Sequence, residues 1–138
     1  MTNVYLASNS AFSDVVFLKE VVGELLKDYD KEGIFFNSPC GIKNGDKTCM
    51  KFICNNGYEH KFLKPRHFQD MLAESDIAIL ITNGESKGIE LTLKQAAKLV
   101  NGTIYVVYTH LMKVDVFSFG SEPKTKDITI ENGSCKIS

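Results

Sequence analysis

Asp76-Ile77-Ala78-Ile79-Leu80-Ile81-Thr82-Asn83-Gly84-Glu85-Ser86-Lys87-Gly88-Ile89-Glu90 is the stretch whose reading decides the fold. Its first half is a nearly unbroken apolar run of strand length, the pattern of a central parallel strand covered on both faces. Its second half is a short polar, glycine-bearing loop that opens a helix predicted from Lys87 to Val100 and closed by Asn101-Gly102. Thr103 to Tyr108, rich in β-branched and aromatic residues, predicts the next strand.

Working back from this stretch, Val4-Tyr5-Leu6-Ala7 predicts a short buried strand that runs into the polar loop Ser8-Asn9-Ser10. Ser13 is a suitable cap for a helix running to about Tyr29. Val15, Val16, Leu18, Val21, Val22, Leu25 and Leu26 form its apolar stripe. Ile34-Phe35-Phe36 is a second buried strand, so the chain starts as a β-α-β unit. Between Asn37 and Lys64 the alternation breaks. Asn44-Gly45 and Asn55-Asn56-Gly57 are turn signals flanking Thr48 to Cys54, with Tyr58 to Leu63 as a returning strand, which predicts an inserted hairpin over about 37–64. Such a hairpin would either extend the sheet or lie over a pocket as a lid. Pro65 opens a short helix to about Ser75, and the chain ends in a hairpin of Asp127 to Ile130 and Ser134 to Ile137. The expectation is an α/β fold, a doubly wound domain with a central parallel sheet, an inserted hairpin and a C-terminal hairpin.

The 138 residues, 43% of them apolar, suit one domain spanning 1–138 with a complete core. Sixteen Lys and Arg against 17 Asp and Glu leave no basic block, so a nucleic acid polymer is not expected as a partner. No apolar run approaches the ~20 residues that span a bilayer. Cys40, Cys49, Cys54 and Cys135 lack zinc-site or C-x-x-C spacing, and no signal peptide is apparent, so reduced thiols in a cytoplasmic protein are expected, with no metal. His60 and His67 read as surface histidines.

In open α/β sheets, ligands sit beyond the carboxyl ends of the strands where the strand order reverses. With the first strand beside the Asp76 to Thr82 strand, that place is bounded by Ser8-Asn9-Ser10 and by Asn83 to Gly88. Both loops lead into helix N-termini, whose free N–H groups favour a phosphate or carboxylate. Gly84-Glu85-Ser86-Lys87-Gly88 also matches the G-x-S-x-G elbow of serine hydrolases, but only Glu90 stands between Ser86 and His110 to serve as the acid, and the chain is short for that fold. Neither G-x-G-x-x-G nor a phosphate-loop motif is present.

Tyr5-Leu6-Ala7, the loop with Phe12, the strand Asp76-Ile77-Ala78-Ile79, and Gly88-Ile89-Glu90 followed by Ala96 together resemble the nucleoside 2-deoxyribosyltransferase family. This family includes the deoxynucleoside monophosphate N-glycosidases and is Rossmann-like. The likeness covers about residues 3–12 and 66–108. It implies that Glu90 attacks the anomeric carbon and that Tyr5 orients it. Ser8, Asn9, Ser10, Phe12, Asn83, Gly84, Glu85, Ser86 and Gly88 would then surround a nucleoside or nucleotide, with no cofactor. The chain departs from the family at Gly84, where an acid six residues before the nucleophile is usual and Glu85 stands next door. It departs again at Phe68, where an Asp or Asn is usual and Asp70 follows two residues later. The resemblance also implies a homodimer or higher homo-oligomer. A different class fits the same residues: a sensor-like module, related in shape to SLOG and TIR-like domains, that holds a nucleotide or an ADP-ribose-type signal without turnover.

Overall fold

A computed structural model describes residues 1–138 as an α/β fold built on one eight-stranded sheet. The strands are β1 (Thr2–Ser8), β2 (Ile34–Pro39), β3 (Glu59–Leu63), β4 (Ile77–Thr82), β5 (Thr103–Tyr108), β6 (Lys113–Phe117), β7 (Lys124–Glu131) and β8 (Ser134–Ile137). Four helices connect the first five strands: α1 (Val15–Leu25), α2 (Asn44–Asn55), α3 (Phe68–Ala73) and α4 (Lys87–Leu99). The sheet order is β3-β2-β1-β4-β5-β6-β7-β8. Strands β3 to β5 in that order are parallel, and β6, β7 and β8 extend the sheet antiparallel to their neighbours.

The period-2 alternation of β1 divides the core. Val4 and Leu6 belong to the apolar cluster shared with Leu18, Val21 and Val22 of α1 and Cys49, Phe52 and Ile53 of α2, while Tyr5 and Ala7 join Met71, Leu72, Ile89 and Ala96 on the other face. Helices therefore cover both faces, which is why β4 is buried at all six positions. Each fully buried Leu or Val of α1 contributes about 1.5–3 kcal/mol. That helix is capped by Asp14, whose carboxylate accepts the Phe17 N–H at 3.0 Å, rather than by Ser13, and it stops at Leu25, short of Tyr29.

The expected hairpin over 37–64 is not what this segment forms. Thr48 to Cys54 lies inside helix α2, and β3 runs parallel to β2, Phe36 opposite His60 and Ser38 opposite Phe62. The segment is a second β-α-β crossover. Both Asn/Gly signals belong to helix ends: Asn44 opens α2, and Gly57, with φ +68°, follows Asn56 at its C-terminus in the left-handed conformation. Gly45 is selected by space. Its N–H donates to the Ser10 carbonyl at 2.9 Å, and a Cβ there would collide with the Asn9 carbonyl. The buried set Gly45, Thr48, Cys49, Phe52 and Ile53 has helical spacing, and Phe52 meets Phe36 of β2 edge-on at 5.9 Å between ring centres.

Past His110, strand β6 pairs with β5, an element that the loss of periodicity there concealed. The C-terminal hairpin forms as expected, with β7 beginning three residues earlier, at Lys124, and with Asn132 and Gly133 both at positive φ in its turn. Cys135 packs into the α1-side cluster. All four cysteines are free thiols, and no helix is long and apolar enough to cross a membrane.

Candidate functional site

The sheet order reverses between β1 and β4: connections from β1 lead outward to β2 and β3, and those from β4 lead the other way to β5. At the carboxyl ends of these strands lies a large cleft, with a volume of about 720 Å³, within the range of small-molecule sites. One wall is the end of β1 and the loop Ser8 to Ala11. A second comes from Pro39, Lys43 and Asp46 around the start of α2, a third from Pro65 and Phe68, and the fourth from Asn83, Glu85 and the first turns of α4. A smaller cavity of about 420 Å³ adjoins it, sharing Asn9, Ala11 and Asn83 and lined further by Phe12, Phe17 and Met112.

The loop after β4 is shaped by its own polar groups. The Gly84 N–H donates to Thr82 Oγ1 at 3.0 Å, and the Glu85 N–H donates to Asn83 Oδ1 at 3.0 Å. Ser86 caps α4, its hydroxyl oxygen accepting the Ile89 N–H at 3.1 Å. Gly84 has φ +85°, and a side chain there would run into the His110 ring, so this glycine serves the turn and does not line the cleft.

Of the residues singled out from the sequence, Tyr5, Ser8, Asn9, Ser10, Asn83, Glu85, Ser86 and Gly88 line the large cleft together. Phe12 lies in the adjoining cavity, meeting Phe17 edge-on at 6.3 Å. Glu90 is exposed and does not line the cleft. The reason is helical rotation: Lys87, Gly88, Leu91 and Thr92 present one side of α4 to the cleft, and at roughly 100° per residue Glu90 projects roughly opposite to it.

Two carboxylates do share the cleft with Tyr5: Glu85, which is exposed, and the half-buried Asp46, in the first turn of α2. Sequence reasoning missed Asp46 because its segment read as a hairpin. The signal that could have found it is the acid at the third position of a helix whose apolar residues recur at helical spacing. Asp46 is half-buried beside Gly41. Burial raises its carboxyl above the ordinary carboxylate range, and a hydrogen bond from the Gly41 backbone only partly offsets this. Tyr5 is almost fully buried. Its phenol is pushed well above its usual value, first by burial, then by the Asp46 carboxylate and Cys49. It is therefore a neutral hydroxyl at physiological pH, able to donate a hydrogen bond but not to act as a base. Burial likewise pushes the Cys49 thiol up to about 12, despite the hydrogen bond to the Ser8 hydroxyl at 3.8 Å, so this sulfur is an inert packing group.

No group of three His, Cys, Asp or Glu side chains is placed to hold a metal ion. No family model matches the chain, and no curated protein matches it in sequence.

Proposed function

We propose that this chain is a Rossmann-like module that binds a nucleoside or nucleotide in the cleft beyond β1 and β4. The supporting observation is the convergence of eight polar or small residues, from the loops after both strands and the start of α4, on one cleft of suitable size at the reversal of strand order. The open N–H groups at the start of α4, with Lys87 beside them, suit an anionic group such as a phosphate. Ser8, Asn9, Ser10 and Asn83 supply hydrogen-bonding groups for a sugar or a base. Holding a nucleotide or an ADP-ribose-type signal requires no more than this.

The second reading is cleavage of an N-glycosidic bond, or deoxyribosyl transfer, by the Glu90 carboxylate with Tyr5 as its orienting partner. The presence of Tyr5 in the cleft favours it; the outward position of Glu90 favours binding alone. The homo-oligomer implied by the family resemblance belongs with this second reading, and light scattering after gel filtration measures it.

One experiment separates the two. The protein is titrated calorimetrically with nucleosides, 2′-deoxynucleosides and their 5′-monophosphates, and the same mixtures are followed by chromatography for free base. Saturable binding without free base supports the binding module. Release of base that disappears in Glu90→Gln supports the glycosidase instead, and absence of both binding and turnover overturns both readings.

A further inference from the structure

Two hydroxyls that line the cleft already spend their hydrogens within the chain. The Ser8 hydroxyl spends its hydrogen on the Asn9 carbonyl at 3.3 Å, and the Thr92 hydroxyl spends its own on the Gly88 carbonyl at 2.8 Å. The Asn9 side chain is more than nine-tenths buried and lines the cleft, and its Oδ1 has no hydrogen-bond partner. That oxygen is itself sealed from solvent, so it is not a contact for a ligand in the cleft. Four charged side chains line the cleft: Lys43, Asp46, Glu85 and Lys87. Lys43, Glu85 and Lys87 are exposed, where water and salt screen them, whereas Asp46 is half-buried. Its field is the least screened in the site. A carboxylate has about four acceptor positions, and the nearby Gly41 backbone serves one of them.

A carboxylate with unspent acceptor capacity and a neutral phenol that donates, both lining one cleft, form a hydroxyl-binding pair. We propose that Asp46, with Tyr5, is the specificity-determining group of this cleft and recognises paired hydroxyls of a sugar, Asp46 accepting and Tyr5 donating. This rests on the nucleoside-binding reading and deepens it, because it names the part of the ligand that is read and the residue that reads it. The chemistry selects a ribose carrying both hydroxyls over its deoxygenated forms. Removing a ligand hydroxyl leaves Asp46 desolvated without a partner, a larger penalty than the loss of a neutral contact.

The test is isothermal titration of the wild-type protein, Asp46→Asn and Asp46→Ala with adenosine, cytidine, guanosine and uridine and the 2′-deoxy and 2′,3′-dideoxy form of each. Circular dichroism verifies the fold of each variant. For the base that binds, the wild type is expected to lose about tenfold to a hundredfold in affinity from the ribonucleoside to the dideoxynucleoside, the range of a charge-assisted hydrogen bond. Asp46→Ala should flatten this series to less than about threefold, with Asp46→Asn between the two; if alanine does not fold, the asparagine variant carries the comparison. A variant that keeps the full wild-type discrimination, or a wild type that binds all three sugar forms equally, overturns the role of Asp46 while leaving nucleoside binding intact. A wild type that binds none of the twelve compounds overturns this inference and the nucleoside half of the binding reading, and leaves the nucleotide half to the titration with 5′-monophosphates.

Discussion

Two glycines in helices offer a direct measure of how closely α2 is seated on the first strand. In α1, Gly23 is exposed, and a Cβ built on it meets nothing within 4 Å. In α2, Gly45 is buried, and a Cβ would collide with the Asn9 carbonyl oxygen, stand 2.5 Å from the Ser8 hydroxyl and 3.0 Å from the Asn9 carbonyl carbon. Alanine favours a helix interior over glycine by about 0.5–1 kcal/mol, so Gly23→Ala should stabilise the protein by that amount. Gly45→Ala receives the same helical benefit but must push backbone atoms aside. Overpacking typically costs about 1–3 kcal/mol, and the upper end applies because the nearest obstacles are main-chain atoms rather than a flexible side-chain tip. The net expectation is a loss of about 2 kcal/mol. In urea unfolding, with a slope of about 1–3 kcal/mol/M, the midpoint should fall by about 1 M for Gly45→Ala and rise slightly for Gly23→Ala, with the slope unchanged in both. If Gly45→Ala proves as stable as the parent, the start of α2 does not rest on the Ser8-Asn9-Ser10 loop, and the argument that places Asp46 in the cleft fails.

Asp46→Asn should raise thermal stability at neutral pH. Burial raises the folded carboxyl above its unfolded value, so the folded state prefers the protonated form and the wild type loses stability as pH rises through the raised value. The advantage of the asparagine variant, about 0.2–1 kcal/mol once solvent screening of this half-exposed group is allowed for, should therefore be present at neutral pH and vanish below the ordinary aspartate range; an advantage independent of pH would refute the burial of this group. Gly84→Ala should cost about 1–3 kcal/mol from its left-handed backbone and its contact with His110. Adding His110→Ala should recover the steric part and leave the backbone part, measured as a double-mutant cycle in urea.

Where hydrophobic burial dictates structure, the chain was legible. The apolar run Ile77 to Ile81 and the β-branched strand β5 form as their patterns require, and α1 buries Leu18, Val21 and Val22 of its predicted stripe but leaves Val16 exposed and ends at Leu25. Asn-Gly pairs are different, because the same two residues serve a hairpin turn, a close helix approach and a helix end, and only tertiary contact selects among them. Gly45 against Asn9 settles that choice in favour of α2. The misreading propagated into the site, since the hairpin hid Asp46. The cleft itself was legible in part, from strand ends and loops: the β1 and β4 loops converge as their chain positions suggested. The direction of Glu90 was not, because a shift of one residue along α4 turns a side chain by roughly 100°, a difference that composition and spacing near a helix start do not resolve.

Every residue lining the large cleft falls between Tyr5 and Thr92, whereas β5 to β8 widen the sheet without contributing a group to it. Between β6 and β7 the turn carries Phe119, which is 99% exposed. Adaptation and engineering thus have a free end to work with: a reporter domain or an affinity handle spliced into this turn would ride on the far margin of the sheet, and recognition at the opposite side would carry on undisturbed.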